Sequence, residues 1–383
     1  MADAAAALVI AGSYEGGLHG WAVEGTDYAL KFSFAAHQGC CRCVATNGHI
    51  PGVQPILLTG GDDELIRAYS LATFKMLGEL ARHKGTITCL CFCGKKHFAS
   101  ASADGTILLW RLKEWTCVHV LGGHDKPVHS ISPHPSGRML LSTGADRTLR
   151  LWDLVEGRSA HITRTKGEAT KVCWGAGEAP ASYLVVLGAR VEVLDVETLT
   201  LEFEVDVGAI VIDAVFLAAS SFVATADGAG VLSVWGSDGC LWRRRRRGGG
   251  RVKALSCLRV GPSLEDASLE AWAASFRLVA AASSGAVEAW APTGPADDAD
   301  GEDDAVAPDS VAAGTTARLT CLAVHAAPST RALVAPKPPQ TKAPKAAAPE
   351  QVQRPRSHSG EAPKRDLKDK MKRKRPRSRG VSS

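Results

Sequence analysis

No stretch of this chain approaches the ~18 consecutive apolar residues that mark a membrane-crossing helix. Ala214–Ala226, the nearest candidate, is 13 residues long and stops at Asp227. The chain begins Met1-Ala2-Asp3 with no basic segment ahead of an apolar one, so no signal peptide is expected. No phosphate-cradling loop is found either: Gly248-Gly249-Gly250 lacks the Lys and Ser/Thr that follow one. These absences lead us to expect a soluble protein without a membrane partner or a nucleotide cofactor.

What is abundant is repetition. Three trios share one spacing: Thr59–Asp63–Tyr69, Ser100–Asp104–Trp110 and Ser142–Asp146–Trp152. A histidine precedes each, at His37, His83 and His124, and the aromatic positions lie 41 and 42 residues apart. A period of about 40–45 residues ending near Trp-Asp, here Trp152-Asp153, marks four-stranded propeller blades. Thr106–Trp110 and Thr148–Trp152 alternate in polarity as returning strands do. The expected fold is all-β, a seven-bladed WD-repeat β-propeller closed by N- and C-terminal strands. His, Ser/Thr, Asp and aromatic are expected to form a buried hydrogen-bonded tetrad in each blade. A hydrolase would show its nucleophile once. Three copies argue for structure, and no single polar constellation stands out for the central channel, so no enzyme is expected.

Later repeats decay. Leu194 stands in the Trp slot of a fourth unit, Trp235 in a fifth and Trp290 in a sixth, with Ser284 in the Asp position. Asp227 lies eight residues before Trp235, which predicts a turn with two extra residues. The interval of 55 between Trp235 and Trp290 predicts an insertion within Gly261–Trp272. The predicted blades span 37–80, 83–121, 124–165, 168–205, 208–247 and 250–316. A closing blade joins 8–34, where Trp21 follows Glu15 by six residues, to a first strand at 317–324. The ring as a whole is predicted over 8–335.

The 11 cysteines read as small buried hydrophobes in a reducing compartment, with Cys89, Cys91 and Cys93 on one strand face. His37, Cys40, Cys41 and Cys43 suggest zinc, but Cys40–Val44 is a predicted strand that sends neighbouring side chains to opposite faces. No metal is expected.

Charge is concentrated at the C-terminal end. Residues 336–383 hold 15 Lys/Arg against 4 Asp/Glu, a net +11, so the other 335 residues carry −6 of the chain's +5. That segment has eight prolines and no aromatic residue. It is expected to be a disordered tail. The plain reading is a solubilising tail. The sharper one is nuclear or nucleolar targeting with sequence-independent contact to rRNA phosphates, through Lys364, Arg365, Lys370, Lys372, Arg373, Lys374 and Arg375. Ser357, Ser359 and Ser378 lie among these arginines as candidate phosphorylation sites. Arg243, Arg244, Arg245, Arg246 and Arg247 fall on the outermost strand of blade 5. They read either as an edge blunted by charge or as a cationic ledge for RNA or an acidic partner. Asp297–Asp304 is expected between blade 6 and the closing strand, as a solvated loop or a shield for the tail. Glu156 and Arg158 flank the blade 3 hairpin tip, where they either make the turn or meet a partner.

The run His134–Arg138 and the string Asp153-Leu154-Val155-Glu156-Gly157-Arg158-Ser159-Ala160 resemble blade 3 of the p21-activated-kinase-interacting-protein-like WD-repeat family, the maintenance-of-killer factors of fungi. Ala11–Glu15, His83–Leu90 and Ala317–Leu322 match that family in order, and the resemblance is read over residues 8–335. The resemblance implies a nucleolar assembly factor for the large ribosomal subunit, active in pre-rRNA processing. Its expected partners are pre-ribosomal assembly factors and ribosomal proteins. For animal members it also implies restraint of p21-activated kinases. Arg243–Gly250 and Asp297–Asp304 depart from the family pattern.

Overall fold

The computed structural model describes residues 7–326, apart from 49–52, 176–179, 218–221, 248–249, 260–275, 294–307 and 313–314. Among the described residues twenty-eight strands form seven four-stranded antiparallel sheets. Blade 1 comprises Cys41–Thr46, Ile56–Gly61, Leu65–Ser70 and Met76–Ala81, strands a to d. Blade 2 runs Ile87–Cys93, His97–Ser102, Ile107–Arg111, Thr116–Leu121, and blade 3 runs Val128–Pro133, Met139–Gly144, Thr148–Asp153, Arg158–Arg164. Strand a of every blade lies against strand a of the next, which closes the circle with the a strands innermost. No helix among the described residues is long and apolar enough to cross a membrane.

Closure uses the two ends of the ring's sequence. Leu319–Ala326 is strand a of the closing sheet, pairing antiparallel with Ala7–Ser13; Gly17–Glu24 and Asp27–Ala35 complete the sheet. The strand starts and ends two residues later than the sequence suggests. Pairing a late strand with an early one leaves neither with an open inner edge. Tight approach seals the join: Gly16 adopts φ +79°, and its carbonyl accepts the Ala36 and His37 amides at 2.8 and 3.0 Å. A Cβ there would sit 2.2 Å from the His37 carbonyl oxygen, so the turn requires glycine.

Alternation buries each sheet on two faces. Strand b of blade 2 carries Phe98, Ala99, Ser100 and Ala101, all fully enclosed, because neighbouring blades cover both sides. Burying Phe98 alone is worth on the order of 2–3 kcal/mol. In six blades the c–d ladder slips one residue just before the Trp slot, at Leu109/Trp110, Leu151/Trp152, Ala68/Tyr69, Val193/Leu194, Val234/Trp235 and Gly20/Trp21. A bulge at a fixed place re-aims one side chain per blade.

Two expectations about the later blades are overturned. Trp235 donates its indole N–H to Thr225 Oγ at 2.9 Å across the same ten-residue separation as Trp110 to Ser100. The turn between them therefore has no extra residues. Asp227 occupies the place of Ser102, and it caps the turn by accepting the Ala229 and Val231 amides at 2.9 and 2.8 Å. In blade 6, Val287–Trp290 pairs directly with Ser310–Ala312. The acidic stretch Asp297–Asp304 thus belongs to the c–d connection of blade 6 rather than following the blade, and its residues lie outside the described set. So does Gly261–Trp272, within the connection from Arg259 to Phe276, which pair as strands a and b.

Candidate interaction surfaces

Each intact tetrad is a one-way chain of donors. In blade 3 the Trp152 indole donates to Ser142 Oγ at 2.8 Å, Ser142 meets His124 Nε2 at 2.7 Å, and His124 Nδ1 meets Asp146 at 2.8 Å. Blade 2 repeats this with Trp110, Ser100, His83 and Asp104 at 2.9, 2.8 and 3.0 Å. Every proton is used if each histidine is neutral with its proton on Nδ1. Burial pushes His83 and His124 below their ordinary range, against the upward pull of Asp104 and Asp146. Burial alone would raise Asp104, but the Lys84 amide, Thr106 and His83 hold it below its ordinary value.

Blade 1 departs from the pattern. His37 joins Thr59 and Asp63, each at 2.8 Å, but the chain ends there. Tyr69 instead packs its ring on Phe34, with centroids 5.3 Å apart. Arg67, which the spacing did not single out, closes the arrangement by donating to Asp63 at 2.9 Å, to Glu79 at 2.8 Å and to the Ala36 carbonyl. With both His37 nitrogens engaged, Cys40, Cys41 and Cys43 turn elsewhere. Among the described residues no group of three or more His, Cys, Asp and Glu side chains could hold a metal ion.

The five arginines do not form one ledge. Arg246 is buried, and its guanidinium grips Glu288 of blade 6 at 2.5 and 2.6 Å, with the Gly250 carbonyl at 3.2 Å. Trp242 and Arg246 lie on one side of the strand, and Trp242 packs with blade 6 residues. Arg243, Arg244 and Arg245 are half-buried, with Arg244 over the Trp242 ring at 5.8 Å. Of the five, only Arg247 is exposed.

A second interior pair was not anticipated. Lys171 and Asp213, on the innermost strands of blades 4 and 5, form an ion pair. Asp213 also accepts the Ala214 amide at 2.9 Å and the Leu255 amide of blade 6 at 2.8 Å. One carboxylate thus fastens three blades, which occupies the oxygens that chemistry would need. Cys89, Cys173 and Cys257 line the same neighbourhood, and burial pushes each thiol up, Cys257 to about 12. Such thiols are poor nucleophiles.

The blade 3 hairpin separates into turn and surface. Asp153 accepts the Val155 and Glu156 amides at 2.8 and 3.1 Å, and Gly157 takes φ +67°. Asp153 and Gly157 make the turn. Val155, Glu156 and Arg158 stand exposed on it. Lys364, Arg365, Lys370, Lys372, Arg373, Lys374 and Arg375 lie outside the described residues.

Between blades 1 and 2 an open cleft of about 680 Å³ is floored by Trp110 and Trp115. A narrower cavity of about 200 Å³ lies between blades 3 and 4.

The WD domain, G-beta repeat pattern matches residues 74–111 and 115–153. The chain is 39% identical over 195 residues to p21-activated protein kinase-interacting protein 1-like of Xenopus laevis, covering 50% of this chain and 51% of that protein. The Homo sapiens p21-activated protein kinase-interacting protein 1 is 31% identical, with 50% and 49% covered, and Protein MAK11 of Saccharomyces cerevisiae is 31% identical, with 44% and 43% covered. These similarities support a relationship to the p21-activated protein kinase-interacting protein 1-like WD-repeat proteins. The chain spans about half the length of the curated relatives it matches, a shorter reach than the 8–335 read from motifs alone. A WD-repeat ring of this kind suggests a platform for protein–protein contact.

Proposed function

We propose that this WD-repeat ring is a non-catalytic scaffold for assembly of the large ribosomal subunit in the nucleolus. The observation that carries the reading is the use of the strong polar constellations among the described residues as joints. Both indole-capped tetrads, Arg246–Glu288 and Lys171–Asp213 are spent within or between blades, which leaves the surface for binding. The family's implied role and the +11 segment at 336–383 point to ribonucleoprotein rather than to a lone protein partner. In this reading the ring holds assembly factors and ribosomal proteins, and the basic segment adds contact to rRNA phosphate.

The test is sedimentation of tagged full-length protein beside a version ending at Ala335. Co-migration with large-subunit precursors, weakened by truncation or by raised salt, is the expected result. If both forms stay at the top of the gradient, the reading fails. A second reading, binding and restraint of a p21-activated kinase, draws on the names of the animal relatives. It would then take first place.

A further inference from the structure

Blades 3 and 4 leave an apolar cavity between them. The slot that holds Trp110 and Trp152 holds Leu194 in blade 4. Five residues further on, the c–d turn places a residue at positive φ: Phe74 at 53°, Trp115 at 54° and Leu199 at 55°. Phe74 packs on Phe32 of the closing blade with centroids 4.8 Å apart, and Trp115 packs on Phe98 at 6.1 Å. In blade 3 the position is Gly157, where the His119 ring of blade 2 fills the space: a Cβ there would lie 2.4 Å from Nδ1. Leu199 lines the cavity between blades 3 and 4 and is 49% exposed.

Two aromatic slots at one junction therefore hold leucines. The cavity that remains, about 200 Å³, is walled by Leu149 and Leu151 of blade 3 and by Trp174 and Tyr183 of blade 4. His161 and Thr163 line it from the outer strand of blade 3. A carboxylate stands at the cavity, on Glu197. Among the described residues Glu197 has no cation within ion-pair distance.

We propose that this cavity docks one bulky apolar side chain of a protein partner, carried beside a Lys or Arg residue that meets Glu197. The apolar walls supply the driving force and the Glu197 carboxylate the selectivity. The proposal rests on the ring being a binding platform and not on which assembly it serves.

Fluorescence anisotropy of a labelled Lys-Arg-Phe-Lys-Arg peptide on the full-length protein tests it. This peptide should bind at least about tenfold more tightly than Lys-Arg-Ala-Lys-Arg or Glu-Glu-Phe-Glu-Glu, the factor that separates a specific contact from a diffuse one. Leu199→Trp puts in the residue that blade 2 already holds at the same backbone conformation. It should fill the cavity, weaken the peptide about tenfold and leave the melting temperature unchanged or higher. Glu197→Lys, on an exposed turn, should weaken it without touching the core. Equal affinity for the three peptides, or full affinity in Leu199→Trp or in Glu197→Lys, overturns the proposal. Peptide binding without co-migration with ribosomal precursors would strike the assembly role alone and leave the site standing.

Discussion

Arg246 and Glu288 stand 42 residues apart, one repeat, and join blades 5 and 6 through a buried bidentate pair at 2.5 and 2.6 Å. Their side chains keep 1% and 4% of their surface. Breaking such a pair on one side leaves an uncompensated buried charge, whereas replacing both partners removes the problem. Arg246→Ala and Glu288→Ala should each cost about 3–5 kcal/mol in urea unfolding. Arg246→Met with Glu288→Leu should recover most of that loss. If the double variant is as unstable as the sum of the singles, the pair is not the coupled unit described.

Ser142 serves two neighbours at once. Ser142→Ala strands the Trp152 donor and the His124 acceptor, at about 1–3 kcal/mol for each orphaned group. Trp290 offers the reverse experiment, since its buried indole N–H has no partner among the described residues and Ala280 stands ten residues before it, where blades 2, 3 and 5 carry a hydroxyl. Ala280→Ser should therefore stabilise the protein by about 0.5–1.5 kcal/mol, read as a higher urea midpoint. A lower midpoint would mean that blade 6 has no room for the hydroxyl.

Acid should loosen the ring in two stages. Burial holds His37, His83 and His124 below the ordinary value of 6.5, against the pull of their aspartates. Just below pH 6.5 the unfolded chain therefore binds more protons than the folded one, and stability falls as pH drops through that window. Asp63, Asp104 and Asp146 are half-buried, which alone would raise them, yet donors hold them below the ordinary 3.8. Their contribution is present above about pH 4 and is withdrawn below it. Melting temperature followed from about pH 8 to 3 should show both declines. A flat profile down to about pH 5 would contradict the first.

Gly16→Ala should be among the costlier single-methyl changes in the ring. The added carbon would meet the His37 and Gly39 carbonyl oxygens at 2.2 and 2.4 Å, at a φ of +79°. Strain of this kind costs on the order of 1–3 kcal/mol before the clash is counted. A thermal melt within a degree or so of wild type would show that the turn can relax.

Blades 1 to 3 were legible because their signature lies within one blade, at fixed short spacing along the chain. The closing strand was legible from its alternation. Thr225 escaped notice because Asp227 drew attention to the wrong member of the turn, although the ten-residue step to Trp235 was there to be read. Strand d of blade 6, Ser310–Ala312, is too short to register as a pattern, and the acidic stretch was misplaced as a result. Arg246–Glu288 and Lys171–Asp213 join different blades, so no local pattern shows them. Opposite charges one repeat apart were the only signal: both pairs are separated by 42 residues. Whether such a pair meets depends on which face of each strand it occupies, and degenerate blades hide that.

Closing the circle with Leu319–Ala326 also sets a timetable for synthesis. Blades 1 to 3 can each complete their own ladder within about 45 residues of emerging. The strand Ala7–Ser13, made almost first, must wait for more than 300 residues before its partner exists. Until then a largely apolar strand edge stands open, and contacts of such long sequence separation are slow to form. A nascent chain stalled before Ala326 is a fan of sheets with two adhesive ends, and a chaperone that shields Ala7–Ser13 would have its work at that stage.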